Sequence, residues 1–94
     1  RLEDVPTVKE LGLPELTDIV GWSAIVGPPD MDQSVIDVLE KGMQDVKDDE
    51  EWIAFTEKVG SVSDIRSPEE TREFVAAQRK IYRDMVERLS IKGQ

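Results

Sequence analysis

Ile19-Val20-Gly21-Trp22-Ser23-Ala24-Ile25-Val26-Gly27 is the stretch on which the fold class turns. It is apolar, rich in β-branched and aromatic residues, and only nine residues long. Ordinary helices run longer, whereas a strand buried on both faces reads as a short continuous apolar run. The stretch therefore predicts a buried strand of about seven residues, near Val20 to Val26. Pro28-Pro29 ends it, because proline has no N–H to give to a ladder.

Toward the C-terminus the period changes from strand to helix. Asp30 or Asp32 can cap a helix, and Asp30 with Gln33 three residues on has the capping-box pattern. Val35, Ile36, Leu39, Met43 and Val46 then recur at three- and four-residue steps, with Asp37, Glu40, Lys41 and Lys47 on the other face. That predicts a helix from about Asp32 to Lys47. Asp48 or Asp49 opens a second, shorter helix with Trp52, Ile53, Phe55, Thr56 and Val59 near its buried side, and Gly60 suits its C′ position. Ser61 to Arg66 alternates weakly around Val62 and Ile65, the pattern of a short strand. Ser67-Pro68-Glu69-Glu70 is the strongest local signal: serine at N-cap, proline at N1 and glutamate at N3 serve the free amides and the helix dipole together. The last helix runs to about Leu89 and is expected to bury Phe74, Val75, Gln78, Ile81, Tyr82, Met85 and Leu89.

Toward the N-terminus, residues 1–17 are mixed, with Pro6 and Pro14 as breakers; Val8 to Leu11 can form one helical turn closed by Gly12. The order is strand, helix, helix, weak strand, long helix. Two strands make too small a sheet to cover three amphipathic helices, so the expected fold is a mainly helical piece, with one or two strands, of a larger α/β domain. The chain starts at Arg1 rather than Met, as a processed product or an excised piece does. Any export signal is expected N-terminal to Arg1.

Composition excludes several chemistries. The 94 residues include 21 Asp and Glu against 12 Lys and Arg, a formal charge of −9. A field of that sign repels phosphate backbones, so nucleic acid is not an expected partner. The same acidity fits either an ordinary acidic domain or salt adaptation. There is no cysteine and no histidine. Thiolate-held metals, disulfides and a Ser-His-Asp triad are excluded, along with the commonest general base and metal ligand. The chain is expected not to be an enzyme, to hold no cofactor and to hold no metal.

Five clusters invite a sharper interpretation. The run Asp48-Asp49-Glu50-Glu51 is acidic enough for a cation, but it lacks a glycine turn and EF-hand spacing, so it is expected to serve helix termini. Asp18, Asp30 and Asp32 flank the apolar stretch, and two carboxylates can act as an acid–base pair, yet a chain this acidic brings carboxylates together by chance. Gly21 and Gly27 lack the spacing of a phosphate loop, and Asp30 and Asp32 oppose an anion at the following helix start. Trp22 and Trp52 read as core or interdomain anchors ahead of groove walls. Arg79, Arg83 and Arg88, beside Glu73, Asp84 and Glu87, make a solvated face with i,i+4 pairing.

These motifs, in order, resemble one family. Val5-Pro6-Thr7-Val8-Lys9-Glu10-Leu11-Gly12 is similar to the Pro-Thr-x-x-Glu-x-Gly signature of the solute-binding proteins of tripartite tricarboxylate transporters, the TctC or Bug family. Gly21-Trp22 followed by apolar residues and Pro28 resembles its next strand, and Asp49-Glu50-Glu51-Trp52 with Phe55 resembles a helix start there. Ser67-Pro68-Glu69-Glu70 with Phe74, Tyr82 in place of a usual Trp, and Ile91-Lys92 resemble the family's last helix. The series covers essentially the whole chain. Pro29-Asp30-Met31-Asp32 departs from the usual Gly-Thr-Pro-like turn, and Glu50 from a common proline.

The resemblance implies a periplasmic binding protein-like parent of two α/β lobes, of which residues 1–94 are the C-terminal part completing one lobe after the hinge crossing. It implies a small carboxylated ligand, delivered to membrane permease subunits in the periplasm or another extracytoplasmic space, with any membrane anchor N-terminal to Arg1. No ligand-binding residue transfers by motif to this chain. From another class, the chain can be a free-standing helical protein-interaction domain. The isolated 94 residues are expected to form a homo-oligomer.

Overall fold

The computed structural model describes residues 2–93. The chain is mainly helical: a 3-10 turn at Pro14–Asp18, then α1 (Gln33–Lys47), α2 (Glu50–Lys58) and α3 (Pro68–Arg88). It divides into two units, Arg1–Ala24 with Phe74–Gln94, and Ile25–Glu73.

In the second unit each helix starts where a side chain replaces missing backbone acceptors. Asp32 caps α1 through the Ser34 N–H at 3.1 Å and also accepts from the Ser34 hydroxyl. Asp49 caps α2, taking the Trp52 N–H at 2.8 Å. Ser67 and Glu70 form the complete reciprocal box at the start of α3: the Ser67 N–H donates to Glu70 Oε2 at 2.9 Å, and the Glu70 N–H donates to Ser67 Oγ at 3.2 Å. α2 ends in a Schellman motif, with the Gly60 N–H on the Glu57 carbonyl, the Ser61 N–H on the Thr56 carbonyl, and Gly60 at φ +73°.

In the first unit, Thr7 and Glu10 repeat the reciprocal box around a single turn. Gly12, at φ +79°, closes that turn: its N–H bonds to the Lys9 carbonyl and the Leu13 N–H to the Val8 carbonyl. α3 ends on the same pattern, but with Ser90 at φ +51° in the glycine position.

Three expectations are corrected. No strand forms among the described residues, either at Val20 to Val26 or at Ser61 to Arg66. A strand exists only by pairing, and among the described residues no backbone–backbone hydrogen bond involves residues 20–27 or 62–65. The apolar content of 19–27 was legible; nothing among the described residues pairs with the backbone of 20–27. The Asp30–Gln33 box also does not form. Asp30 sits at φ +61°, Asp32 takes the cap, and Gln33 Nε2 donates to Asp37 at 2.7 Å.

The helix faces are amphipathic but uncovered. Among the described residues no apolar side chain is buried; only Thr56 and Gln78 are. Val35, Leu39, Met43 and Val46 on α1 are exposed, as are Trp52, Ile53, Phe55 and Val59 around α2. Of the residues expected to be buried on α3, Phe74, Val75, Ile81 and Met85 are half-buried, while Tyr82 and Leu89 are exposed. The periodicity named these stripes, and among the described residues no apolar side chain on them is fully buried.

Candidate functional site

In the first unit, α3 meets the chain around Asp18 to Trp22 at two points. Gln78 Nε2 donates to the Asp18 carbonyl at 2.8 Å. One turn earlier, Phe74 stands edge-on to Trp22, with ring centroids 5.5 Å apart and planes at 80°, the favoured T-shaped arrangement. Gln78 is buried while its Oε1 accepts no hydrogen bond. Its periodicity placed it on the apolar stripe; that a polar residue stands on such a stripe was the available signal that it serves a buried polar group.

The second unit carries two polar features. A shallow groove of about 200 Å³ lies between the N-terminal half of α1 and the start of α3, lined by Gln33, Ile36, Glu40, Ser67, Pro68, Glu69 and Arg72. Two helix N-termini and an arginine favour an anion there, but Glu40 and Glu69 oppose one. The segment after α2 is tied back by Trp52 Nε1–H donating to Ser63 Oγ at 2.8 Å. Arg66 forks onto Asp64 Oδ2 with its Nε and Nη2 at 3.0 and 2.7 Å. That contact holds the Asp64 carboxyl below its usual range and raises the guanidinium.

The clusters singled out from sequence resolve into termini. Asp49 caps α2, Glu50 and Glu51 lie in its first turn, and Asp48 closes α1. Among the described residues no group of three Asp or Glu side chains converges to hold a metal ion. Asp18 contributes its backbone carbonyl, and Asp32 contributes a cap whose bond from the Ser34 N–H depresses its carboxyl. Met31 sulfur fills the space beside Gly27 that a Cβ would take. Trp22 and Trp52 each keep one exposed flank and one aromatic neighbour, Phe74 and Phe55 respectively. On α3 the i,i+4 pair that forms is Lys80 with Asp84 at 2.6 Å.

In the second unit the apolar face of α1 is exposed, and so are Ile25, at 79%, and Val26, at 87%. No described helix is long and apolar enough to cross a membrane. No family model matches the chain, and no curated protein or solved structure matches it significantly.

Proposed function

We propose that the chain is the C-terminal part of an extracytoplasmic solute-binding protein of the tripartite tricarboxylate transporter type, and that the intact protein captures a small carboxylated ligand for a membrane permease. The observation that carries this reading is that no described apolar residue is buried. A chain with capped, amphipathic helices and no covered face is built to complete a larger domain. The ordered series Val5 to Gly12, Gly21-Trp22, Asp49 to Phe55 and Ser67 to Glu70 names the family it resembles. In such a parent of α/β fold, residues 20–26 join a sheet whose other strands come from residues N-terminal to this chain, which accounts for their apolar content and their free backbone groups.

Calorimetry tests this on the polypeptide as encoded at its native locus. The intact polypeptide is expected to bind citrate, succinate or glutamate in the micromolar range, and the isolated 94 residues to bind none of them. Part of one lobe cannot enclose an anion, and a charge of −9 opposes it. An intact polypeptide with nothing before Arg1 except a start codon would sink the reading.

A second reading, a free-standing helical interaction domain, is favoured by one observation. α1 and α2 carry their own side-chain caps, and α3 its reciprocal box, all within residues 32–70. It predicts a monomer that melts cooperatively without further chain.

A further inference from the structure

Gln78 leaves half of its carboxamide unused. The residue is only 4% exposed; Nε2 holds the Asp18 carbonyl while Oε1 accepts nothing. A water-shielded acceptor without a donor destabilises the fold, and native structures seldom keep one. The primary carboxamide offers the same donor and acceptor as a peptide unit, so it can stand in for a neighbouring strand at one step.

The backbone opposite it has the matching pair. On extended backbone successive residues face opposite edges, so the carbonyl of one residue and the N–H two residues on share an edge. Ile19, between Asp18 and Val20, is extended at φ −92° and ψ 94°. The Val20 N–H therefore faces the same side as the Asp18 carbonyl, and among the described residues it makes no backbone hydrogen bond. The Trp22–Phe74 contact, one turn along the same stripe of α3, holds the segment against the helix.

We propose that Gln78 is a two-point backbone clamp: its Nε2–H holds the Asp18 carbonyl, and its Oε1 closes on the Val20 N–H, so that α3 serves one edge of this segment as a strand does. The clamp uses one edge only. The Ile19 N–H is held separately, on the Leu16 carbonyl at 3.2 Å.

Amide hydrogen exchange by NMR on the whole 94-residue chain tests this at two concentrations. After correction for sequence, the Val20 amide is expected to exchange roughly tenfold more slowly than that of Val26, the protection one net hydrogen bond confers, and equally at both concentrations. Gln78→Leu and Gln78→Met, which remove the Oε1 acceptor, should bring Val20 to the Val26 rate. The Met43 amide inside α1 should stay protected and so report that the variants remain folded. If a variant unfolds, the unsubstituted chain alone decides. Equal rates at Val20 and Val26, protection that survives both substitutions, or protection lost on dilution would each overturn the clamp. The last would assign the bond to a second copy.

Discussion

Ser90 occupies with a side chain the position that Gly12 and Gly60 occupy without one. All three close a helical turn in the left-handed region, at φ +51°, +79° and +73°. An L side chain there crowds its own carbonyl, at roughly 1–2 kcal/mol, and glycine does not. Glycine also gives up more chain freedom on folding, which returns part of that gain. Ser90→Gly is therefore expected to stabilise the C-terminal end of α3 by about 0.5–1 kcal/mol. Gly60→Ala should destabilise by about 1 kcal/mol; a Cβ at Gly60 meets nothing within 4 Å, so the cost is in the backbone alone. Paired thermal melts at matched concentration measure both. A Ser90→Gly chain that melts below the parent would show that the Ser90 side chain makes a contact worth more than its strain.

The helices hold themselves mainly through caps, since the apolar faces are uncovered. Ser67→Ala removes the acceptor for the Glu70 N–H and should cost about 1 kcal/mol, read as lost α3 helicity by circular dichroism. The other half of the box is sensitive to pH. The Ser67 N–H on Glu70 holds that carboxyl below its ordinary 4.5, as the Thr7 N–H does for Glu10. A carboxyl depressed on folding stabilises fully above its unfolded value and loses that contribution as pH falls through its folded value. The helicity advantage of the chain over Glu70→Gln should thus persist from neutrality down to about pH 4.5 and vanish in stronger acid. The difference between the two proteins removes the general effect of titrating a −9 chain. An advantage independent of pH would mean the carboxylate is not the capping group. Inside α1, Gly42 interrupts a well-capped helix and a Cβ there meets nothing within 4 Å, so Gly42→Ala should add about 1 kcal/mol of helix stability. Signals confined to a few neighbouring residues were legible in the sequence: the Ser67–Glu70 box and Gly60 at C′ stand where spacing placed them, and of Asp48 and Asp49, both open as the α2 cap, Asp49 takes it. Where two acids competed two residues apart, spacing could not choose, and Asp32 rather than Asp30 caps α1. What needed a partner far along the chain was not legible. The strand expected at 20–26 depends on a ladder that the described residues do not supply, and the bond from Gln78 to Asp18 spans sixty residues.

At the scale of the whole molecule, uncovered apolar surface and net charge oppose each other. Val35 at 47% and Leu39 at 55% exposure stand on α1, and Ile25 and Val26 are more exposed still. Covering one large aliphatic side chain is worth roughly 1.5–3 kcal/mol, so burying several at once exceeds an association cost of roughly 4–15 kcal/mol. The backbone of residues 20–27, unpaired among the described residues, adds a template for pairing with a second chain. Two chains at −9 repel, but exposed charges more than about 8 Å apart are largely screened at physiological salt. The isolated 94 residues are therefore expected to sediment as a dimer or larger species at tens of micromolar in moderate salt, and to dissociate as salt is lowered. Ile25→Asp with Val26→Asp, which adds charge to the free segment and touches no cap, should return the chain to monomer. Longer polypeptide that covers these faces should be monomeric under the same conditions, because the surface that drives association is then internal. A monomer of the unsubstituted 94 residues with a cooperative melt would instead show that these residues close a core alone, which counts against the binding-protein reading and for the free-standing domain.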